Sequence, residues 1–272
     1  MERRTFLKSS GIAGGLLAAL PLSRVFGTPA DNEFPLVDLH VHLTGSFTID
    51  HVMEISKKTN VQFGIMVNPG GGVNDDAGLK RFIESLKPYP VYRGLQPMSP
   101  GWSRSFSLEM VKQLDYVLMD AQTIPNGNSY AETLRIWNFD TYVDDPQKFM
   151  DTYMTHILEV INNNEPLNIF GWPLFLPVCI ARDYYTLWTD ERMQKIVAAL
   201  KRKDLAVEIN DLAHTPHERF IGMAKEQGLK FTFGSDTRDQ KAGRLDFCKY
   251  VAKKCNLKKD DFFMPKRVLH TA

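Results

Sequence analysis

The chain has 272 residues, of which 43% are apolar and 24% are charged, and its formal net charge is +1. This is the composition of a globular protein with a sizeable core, and it excludes a chain too polar to fold. A length near 250 residues suits either two small domains or one α/β barrel, so the order of the predicted elements must decide between them.

The first thirty residues have the features of an export signal. Residues 3–8 read Arg-Arg-Thr-Phe-Leu-Lys, a twin-arginine pattern, and a mildly apolar stretch follows at 11–22. Thr28 and Ala30 place small residues before a cleavage site. We therefore predict that 1–30 is a twin-arginine signal that sends the protein to the periplasm or the extracellular space. A short buried helix and a retained anchor are the alternatives, although the stretch is shorter than the about 20 residues of a membrane span.

The remaining chain is close to neutral. Residues 1–30 contain four basic residues and one acidic residue, so the mature chain would hold 29 basic and 31 acidic residues, a net charge of −2. Such a balance predicts no nucleic-acid partner and no electrostatic attraction to anionic lipid. We expect a small-molecule substrate instead. The three cysteines are an odd number and do not indicate a disulfide framework.

From residue 34 onward, short apolar runs alternate with helical patterns. They predict, in chain order, strand 36–43, helix 48–58, strand 62–68, helix 76–85, strand 91–96, helix 107–113, strand 116–124, helix 146–162, strand 168–176, helix 190–202, strand 206–210, helix 217–226, strand 230–235 and helix 244–255. Seven β-α units without a dinucleotide-binding glycine fingerprint predict one α/β domain over 34–272, a seven-stranded (βα)7 TIM-like barrel. Catalytic residues of such barrels lie at the carboxyl ends of the strands.

The first predicted strand ends in Asp38-Leu39-His40-Val41-His42. Because side chains alternate along a strand, Asp38, His40 and His42 are expected on the inward face. Two imidazoles at this spacing are suited to one metal ion. A half-exposed strand with a polar outer face is the alternative, but first strands of parallel barrels are buried on both sides.

Two later strand ends carry further candidates. The seventh strand ends in Gly234-Ser235-Asp236, and Asp236 can complete a His-His-Asp metal site or accept a proton from water. The alternative is an aspartate that caps the following loop. After the sixth strand, Thr215 to Glu218 fit a capping box, which leaves His214 as a weaker candidate ligand.

In order and spacing, the first strand end Asp-x-His-x-His, the sixth Glu-Ile-Asn and the seventh Gly-Ser-Asp resemble the PHP (polymerase and histidinol phosphatase) family. The resemblance implies a distorted seven-stranded barrel and a cluster of two or three metals that hydrolyses phosphate esters. His40, His42 and Asp236 match the family's ligands. At other ligand positions this chain has substitutions, namely Gln96, Gln122, Trp172 and Arg238.

These substitutions predict one metal rather than a cluster, because a neutral amide does not bridge two dications and an indole does not ligate. Asp120 is a further candidate ligand, and Zn²⁺, Mn²⁺ and Fe²⁺ all suit the N,N,O set. The leading hypothesis is a mononuclear metal-dependent hydrolase of a phosphoester or amide. Asp236 and Arg238 are the candidate catalytic residues, and Arg238, Trp172 and Gln96 the candidate substrate-binding residues.

Two other functions stay open. Loss of several ligands is also what a non-catalytic binding protein on the same barrel would show. The segment 39–46, Leu-His-Val-His-Leu-Thr-Gly-Ser, resembles the opening of adenosine deaminases, although their later motifs are absent.

Overall fold

The computed structural model describes residues 34–125 and 133–267. Its strands are β1 Val37–His42, β2 Gln62–Val67, β3 Tyr92–Leu95, β4 Tyr116–Met119, β5 Thr123–Ile124, β6 Leu134–Arg135, β7 Ile169–Phe170, β8 Ala206–Asn210 and β9 Phe231–Gly234. Seven of them form one parallel sheet in the order β1-β2-β3-β4-β7-β8-β9. β5 and β6 form a separate antiparallel pair.

The first strand meets the last and nearly closes the sheet into a barrel. The His42 N–H donates to the Thr237 carbonyl at 3.0 Å, and the Thr237 N–H donates to the His40 carbonyl at 3.3 Å. Below this seam, Asp38 accepts hydrogen bonds from the backbone N–H groups of Ser235 and Gly243, each at 2.9 Å. The predicted single-domain TIM-like barrel is therefore confirmed.

Helices cover the outside of the barrel. They are α1 Ile49–Thr59, α2 Asp76–Leu86, α3 Leu108–Val111, α4 Pro146–Asn162, α5 Tyr184–Leu187, α6 Asp190–Lys203, α7 Glu218–Glu226 and α8 Asp246–Lys254. Local sequence sets their ends: the Asp145 carboxylate caps α4 with Pro146 in its first turn, and Thr189 caps α6. None of the helices in 34–125 and 133–267 is long and apolar enough to cross a membrane.

Inside the barrel, a small apolar cluster fills the end opposite the strands' carboxyl ends. It is built from strand residues alone: Val37, Leu39, Met66, Tyr116, Leu118, Ile169 and Ala206. A Cβ atom on Gly64 or Gly94 would lie 2.3 or 2.5 Å from the Tyr116 side chain. The two glycines thus leave room for the Tyr116 ring, which fills this end of the barrel.

The structure corrects the predicted alternation along β1. The pairing of β1 with β2 shifts between Asp38 and Val41. Leu39 therefore packs inside the barrel with Tyr116, whereas Val41 packs in the outer core. Asp38 bonds to the backbone of the closing loop and does not share the face of His40 and His42. A bulge of this kind breaks the period of two that the prediction assumed.

Four other predicted elements differ. The strand predicted at 116–124 stops at Met119, and Thr123–Ile124 pairs with β6 instead. The strand predicted at 168–176 is only Ile169–Phe170, because Trp172 and Leu174 have positive φ angles of 45° and 62°. The helix predicted at 107–113 is reduced to α3. His217, not Thr215, caps α7, with its Nδ1 accepting from Phe220 N–H. The predicted signal at 1–30 lies outside the described residues.

Candidate metal centre

Three side chains converge at the carboxyl end of the barrel: His40 and His42 of β1, and Asp236 just after β9. Asp236 Oδ1 lies 3.4 Å from His40 Nε2 and 3.6 Å from His42 Nε2. One ligand atom from each residue falls within 4.8 Å of the others. Both Nε2 atoms are buried and have no hydrogen-bond partner. Buried orphan nitrogens that face a carboxylate suit a divalent metal, so the residues present fit such an ion.

A carboxylate behind the site fixes the ring of His40. Glu208 on β8 is fully buried, and its Oε1 lies 2.6 Å from His40 Nδ1. This contact directs the other ring nitrogen, Nε2, toward Asp236, as carboxylate–histidine pairs do in metal sites. Gly234 makes the contact possible, because a Cβ atom there would lie 1.9 Å from Glu208 Oε1.

The two imidazoles have opposite proton affinities. Burial by itself would lower the pKa of His40, but the charges of Asp236 and Glu208 outweigh it and raise the pKa to about 10. Burial lowers the pKa of His42 to about 3, and the charges of His40 and Arg238 act in the same direction. Without a metal, His40 is therefore a charged imidazolium at neutral pH, while the His42 imidazole is neutral.

Asp236 is held in an uncommon backbone conformation. Its φ angle is 44°, in the left-handed region that few residues other than glycine adopt. Arg238 Nη1 donates to Asp236 Oδ1 at 2.8 Å and to its carbonyl at 3.2 Å. Arg238 is about half exposed, at 48% for its side chain. A guanidinium therefore stands next to the three candidate ligands and faces the solvent.

The neighbouring strand ends hold a chain of amides. Asn68 Nδ2 donates to Gln96 Oε1 at 3.0 Å, and Gln96 Nε2 donates to Asp120 Oδ2 at 2.9 Å. Gln122 N–H donates to the other oxygen of Asp120 at 3.0 Å. Burial raises the pKa of Asp120 to about 6. Both carboxylate oxygens of Asp120 are thus already hydrogen-bonded, and Asp120 is not part of the His40–His42–Asp236 group.

Trp172 follows β7 and faces the same space. The backbone N–H of Trp172 donates to Glu208 Oε2 at 2.8 Å, so both carboxylate oxygens of Glu208 accept hydrogen bonds. Its ring packs edge-on against Phe175, with centroids 5.0 Å apart. His214 lies apart from this group, because its exposed ring stacks on Phe247 at 4.9 Å.

A cavity of about 790 Å³ opens above these residues. Its polar lining is formed by Asn68, Gln96, Asp120, Gln122, Asp236 and Arg238, and its apolar lining includes Trp137, Phe139, Trp172, Phe175, Val178 and Leu212. The sequence-based candidates Gln96, Asp120, Trp172, Asp236 and Arg238 all line this cavity.

Sequence reasoning missed the role of Glu208 as the partner of His40, and it missed Phe139 and Leu212. A signal for Glu208 was available, since a carboxylate in an otherwise apolar buried strand requires a charged or polar partner. Phe139 and Leu212 lie on irregular segments, where no periodicity marks a side chain as part of a site.

No family model and no curated protein matches the chain. Among solved structures, it is similar to histidinol phosphate phosphatase from Lactococcus lactis complexed with zinc, L-histidinol and phosphate. The two chains are 16% identical with a TM-score of 0.52, over 83% of this chain and 97% of the other. At this identity the likeness shows the fold. A chain of archaeal ribonuclease P with mature tRNA is similar at 10% identity and a TM-score of 0.40, over 81% and 86% of the two chains, which is too weak to carry an argument.

Proposed function

We propose that this protein is a metal-dependent hydrolase of a small phosphoester. One divalent transition metal, Zn²⁺, Mn²⁺ or Fe²⁺, would be held by His40, His42 and Asp236. The observation that supports this proposal most directly is the pair of buried, unpartnered Nε2 atoms beside the Asp236 carboxylate. The PHP resemblance of the strand ends and the shared fold with a zinc-containing phosphatase point to the same chemistry.

A bound divalent metal polarises a phosphoryl oxygen and lowers the pKa of a bound water to about 7. The protein's own residues would supply the rest. Glu208 keeps the Nδ1 proton of His40 in place, so that Nε2 stays an acceptor. Asp236 would accept a proton from the attacking water. Arg238, beside Asp236 and open to the cavity, would hold the anionic group of the substrate.

The proposed number of metals is one. Two dications a few ångströms apart require a bridging anion, and the bridging position carries Gln96, whose amide is bonded to Asn68 and Asp120. Gln122 and Trp172 supply no anionic or imidazole ligand, and the fixed charge of Arg238 repels a second cation.

The proposal is tested by metal analysis and by hydrolysis of 4-nitrophenyl phosphate. We expect one metal per chain and activity that is lost with a chelator and restored by Zn²⁺ or Mn²⁺. His42→Ala and Asp236→Ala should lose the metal and lower activity at least about hundredfold. Asp239→Ala, a carboxylate on the same loop and outside the ligand group, is the matched control and should keep both. Full activity of Asp236→Ala would contradict the assignment.

An amide is the second candidate substrate, because a single N,N,O site also resembles that of mononuclear amidohydrolases. Hydrolysis of a panel of acyl 4-nitroanilides tests the amide hypothesis. Deamination of adenosine tests the hypothesis that 39–46 marks a deaminase. A protein that binds no metal even after refolding with Zn²⁺ or Mn²⁺ would instead be a non-catalytic binding protein on this barrel.

We also propose export by the twin-arginine route to the periplasm or the extracellular space, on the pattern of residues 3–8. Replacing Arg3 and Arg4 by lysines should trap the protein in the cytoplasm, as shown by cell fractionation. Unchanged export of that variant would contradict the proposal.

A further inference from the structure

An apolar rim surrounds the cavity above the proposed metal centre. We define it as Trp137, Phe139, Trp172, Phe175, Val178 and Leu212. The residues come from three separate segments, which follow β6, β7 and β8. Because no single helix or strand contributes them, the rim is not one face of an amphipathic element. These residues come together only where the three segments line the cavity.

Three of the six rim residues are exposed, although a folded chain normally buries such side chains. Phe139 is 91% exposed, Leu212 61% and Val178 56%. These are three of the eight large apolar side chains that are exposed in the described parts of the chain. Isolated exposed apolar residues are common, but several around one concave opening indicate a binding site.

The inner part of the rim is fixed in place. Trp172 and Leu174 both have left-handed φ angles, which non-glycine residues rarely adopt. The backbone N–H of Trp172 donates to Glu208, and the indole ring of Trp172 packs edge-on against Phe175. Glu208 also accepts a hydrogen bond from His40, so one carboxylate fixes Trp172 of the rim relative to the candidate ligands.

The cavity has two chemically different parts. Asp236 and Arg238 supply charged groups beside His40 and His42, and the rim supplies an apolar lining. A volume of about 790 Å³ is far more than a phosphate group needs. It falls in the range of about 300–1,000 Å³ that encloses an organic molecule of drug size.

We infer that the substrate is a phosphoester whose organic group is aromatic or similarly broad and apolar, and that this group binds against the rim. The inference rests on the proposed function, because it assigns the anionic end to Arg238 and the metal centre. A small polar organic group would leave the rim uncovered and in water.

Binding of non-hydrolysable phosphonates tests the inference directly. Calorimetry on the metal-loaded protein would compare methylphosphonate, benzylphosphonate and 2-naphthylmethylphosphonate. We expect the affinity to rise by about tenfold or more from the methyl to the benzyl compound, as burial of one aromatic ring predicts. The matched variants test whether the rim causes this gain. The double variant Phe139→Ala/Leu212→Ala should remove most of the gain.

Both residues are exposed, so the barrel should fold without them. Tyr142→Ala, an exposed aromatic residue outside the cavity lining, is the matched control and should keep the gain.

The possible results separate the substrate class from the hydrolase proposal. Tighter binding of the aromatic phosphonates without hydrolysis of any ester supports binding of the organic group at the rim and contradicts the proposed hydrolase function. Hydrolysis with equal affinity for all three phosphonates, or a gain that the double variant retains, overturns the inference. Binding to phosphatidylcholine vesicles that is lost in the double variant also overturns it, because the rim would then contact a lipid surface.

Discussion

Glu208 accepts a hydrogen bond from His40 Nδ1 at 2.6 Å, although 168 positions separate the two residues in the chain. The contact crosses the interior of the barrel between β8 and β1, and both side chains are fully buried. It leaves His40 with one free ring nitrogen, which points to Asp236. Glu208 is therefore a positioning residue for the proposed metal centre, because it is fully buried and does not line the cavity.

Glu208→Gln should weaken metal binding by about 10- to 100-fold, because the amide keeps the shape but not the charge that holds the Nδ1 proton. Competition with a chromophoric chelator measures the affinity. Glu226→Gln, an exposed change on α7, is the control and should bind as the wild type does. Wild-type metal affinity in Glu208→Gln would show that Glu208 serves only the packing of the barrel.

Gly234→Ala should disrupt the same contact by steric overlap, because its Cβ atom would lie 1.9 Å from Glu208 Oε1 and 2.8 Å from the Cβ atom of His40. We expect a loss of about 1–3 kcal/mol in the free energy of unfolding, together with loss of metal. Gly222→Ala provides the contrast, since nothing lies within 4 Å of its added methyl group. In the interior of α7 that change should stabilise by about 0.5–1 kcal/mol. Urea denaturation compares both, and equal stabilities would contradict the expected overlap.

Titration of the metal-free protein with Zn²⁺ or Mn²⁺ should give one tight site per chain. Asp120→Ala should leave this stoichiometry unchanged, because both Asp120 oxygens are bonded to Gln96 and Gln122 and the carboxylate is not in the ligand group. Two or more tight sites that Asp120→Ala reduces to one would mean that Asp120 acts as a bridge, and the count of ligands would be wrong.

Metal binding should release about one proton at pH 6. The pKa of His40 is raised to about 10, so this ring carries a proton that the metal must displace, whereas the pKa of His42, lowered to about 3, leaves no proton to lose. At pH 6 a zinc-bound water, whose pKa is about 7, is still mostly un-ionised. Calorimetry in two buffers with different ionisation enthalpies counts the protons. Release of none, or of two, would contradict these assignments.

The same raised pKa predicts how the stability of the metal-free protein depends on pH. A group whose pKa is higher in the folded state stabilises the fold fully below its unfolded value, near 6.5 for histidine, and this contribution is lost as the pH rises toward about 10. The free energy of unfolding of the metal-free protein should therefore fall between pH 7 and 10. Asp236→Asn removes the largest of the charges that raise this pKa, so its decline should be smaller and should end at a lower pH.

The sequence was sufficient for the barrel and for the convergence of His40, His42 and Asp236. Apolar runs that alternate with helical patterns leave few topologies, and strand ends meet at one face of a parallel barrel. Their positions at the ends of the third and fourth predicted strands also marked Gln96 and Asp120, and both line the cavity. These inferences need only local periodicity, the resemblance of the strand ends and one topological rule.

What the sequence did not predict depends on contacts between distant segments. The irregular pairing of β1, which turns Asp38 away from the site, lies where Leu39 packs against Tyr116 of β4. The positive φ angle of Trp172 shortens β7 and is held by a bond to Glu208 on another strand. Neither feature has a signature in the residues that surround it in the chain.

The seam between β1 and β9 gives the metal centre a second consequence. His40 and His42 lie near the start of the described chain and Asp236 near its end, and few backbone hydrogen bonds join the two strands there. An ion shared across the seam would act as a cross-link that closes a loop of nearly the whole barrel. Cross-links over long loops remove the most conformational entropy from the unfolded chain. The ion would then raise the free energy of unfolding of the barrel as well as contribute to chemistry.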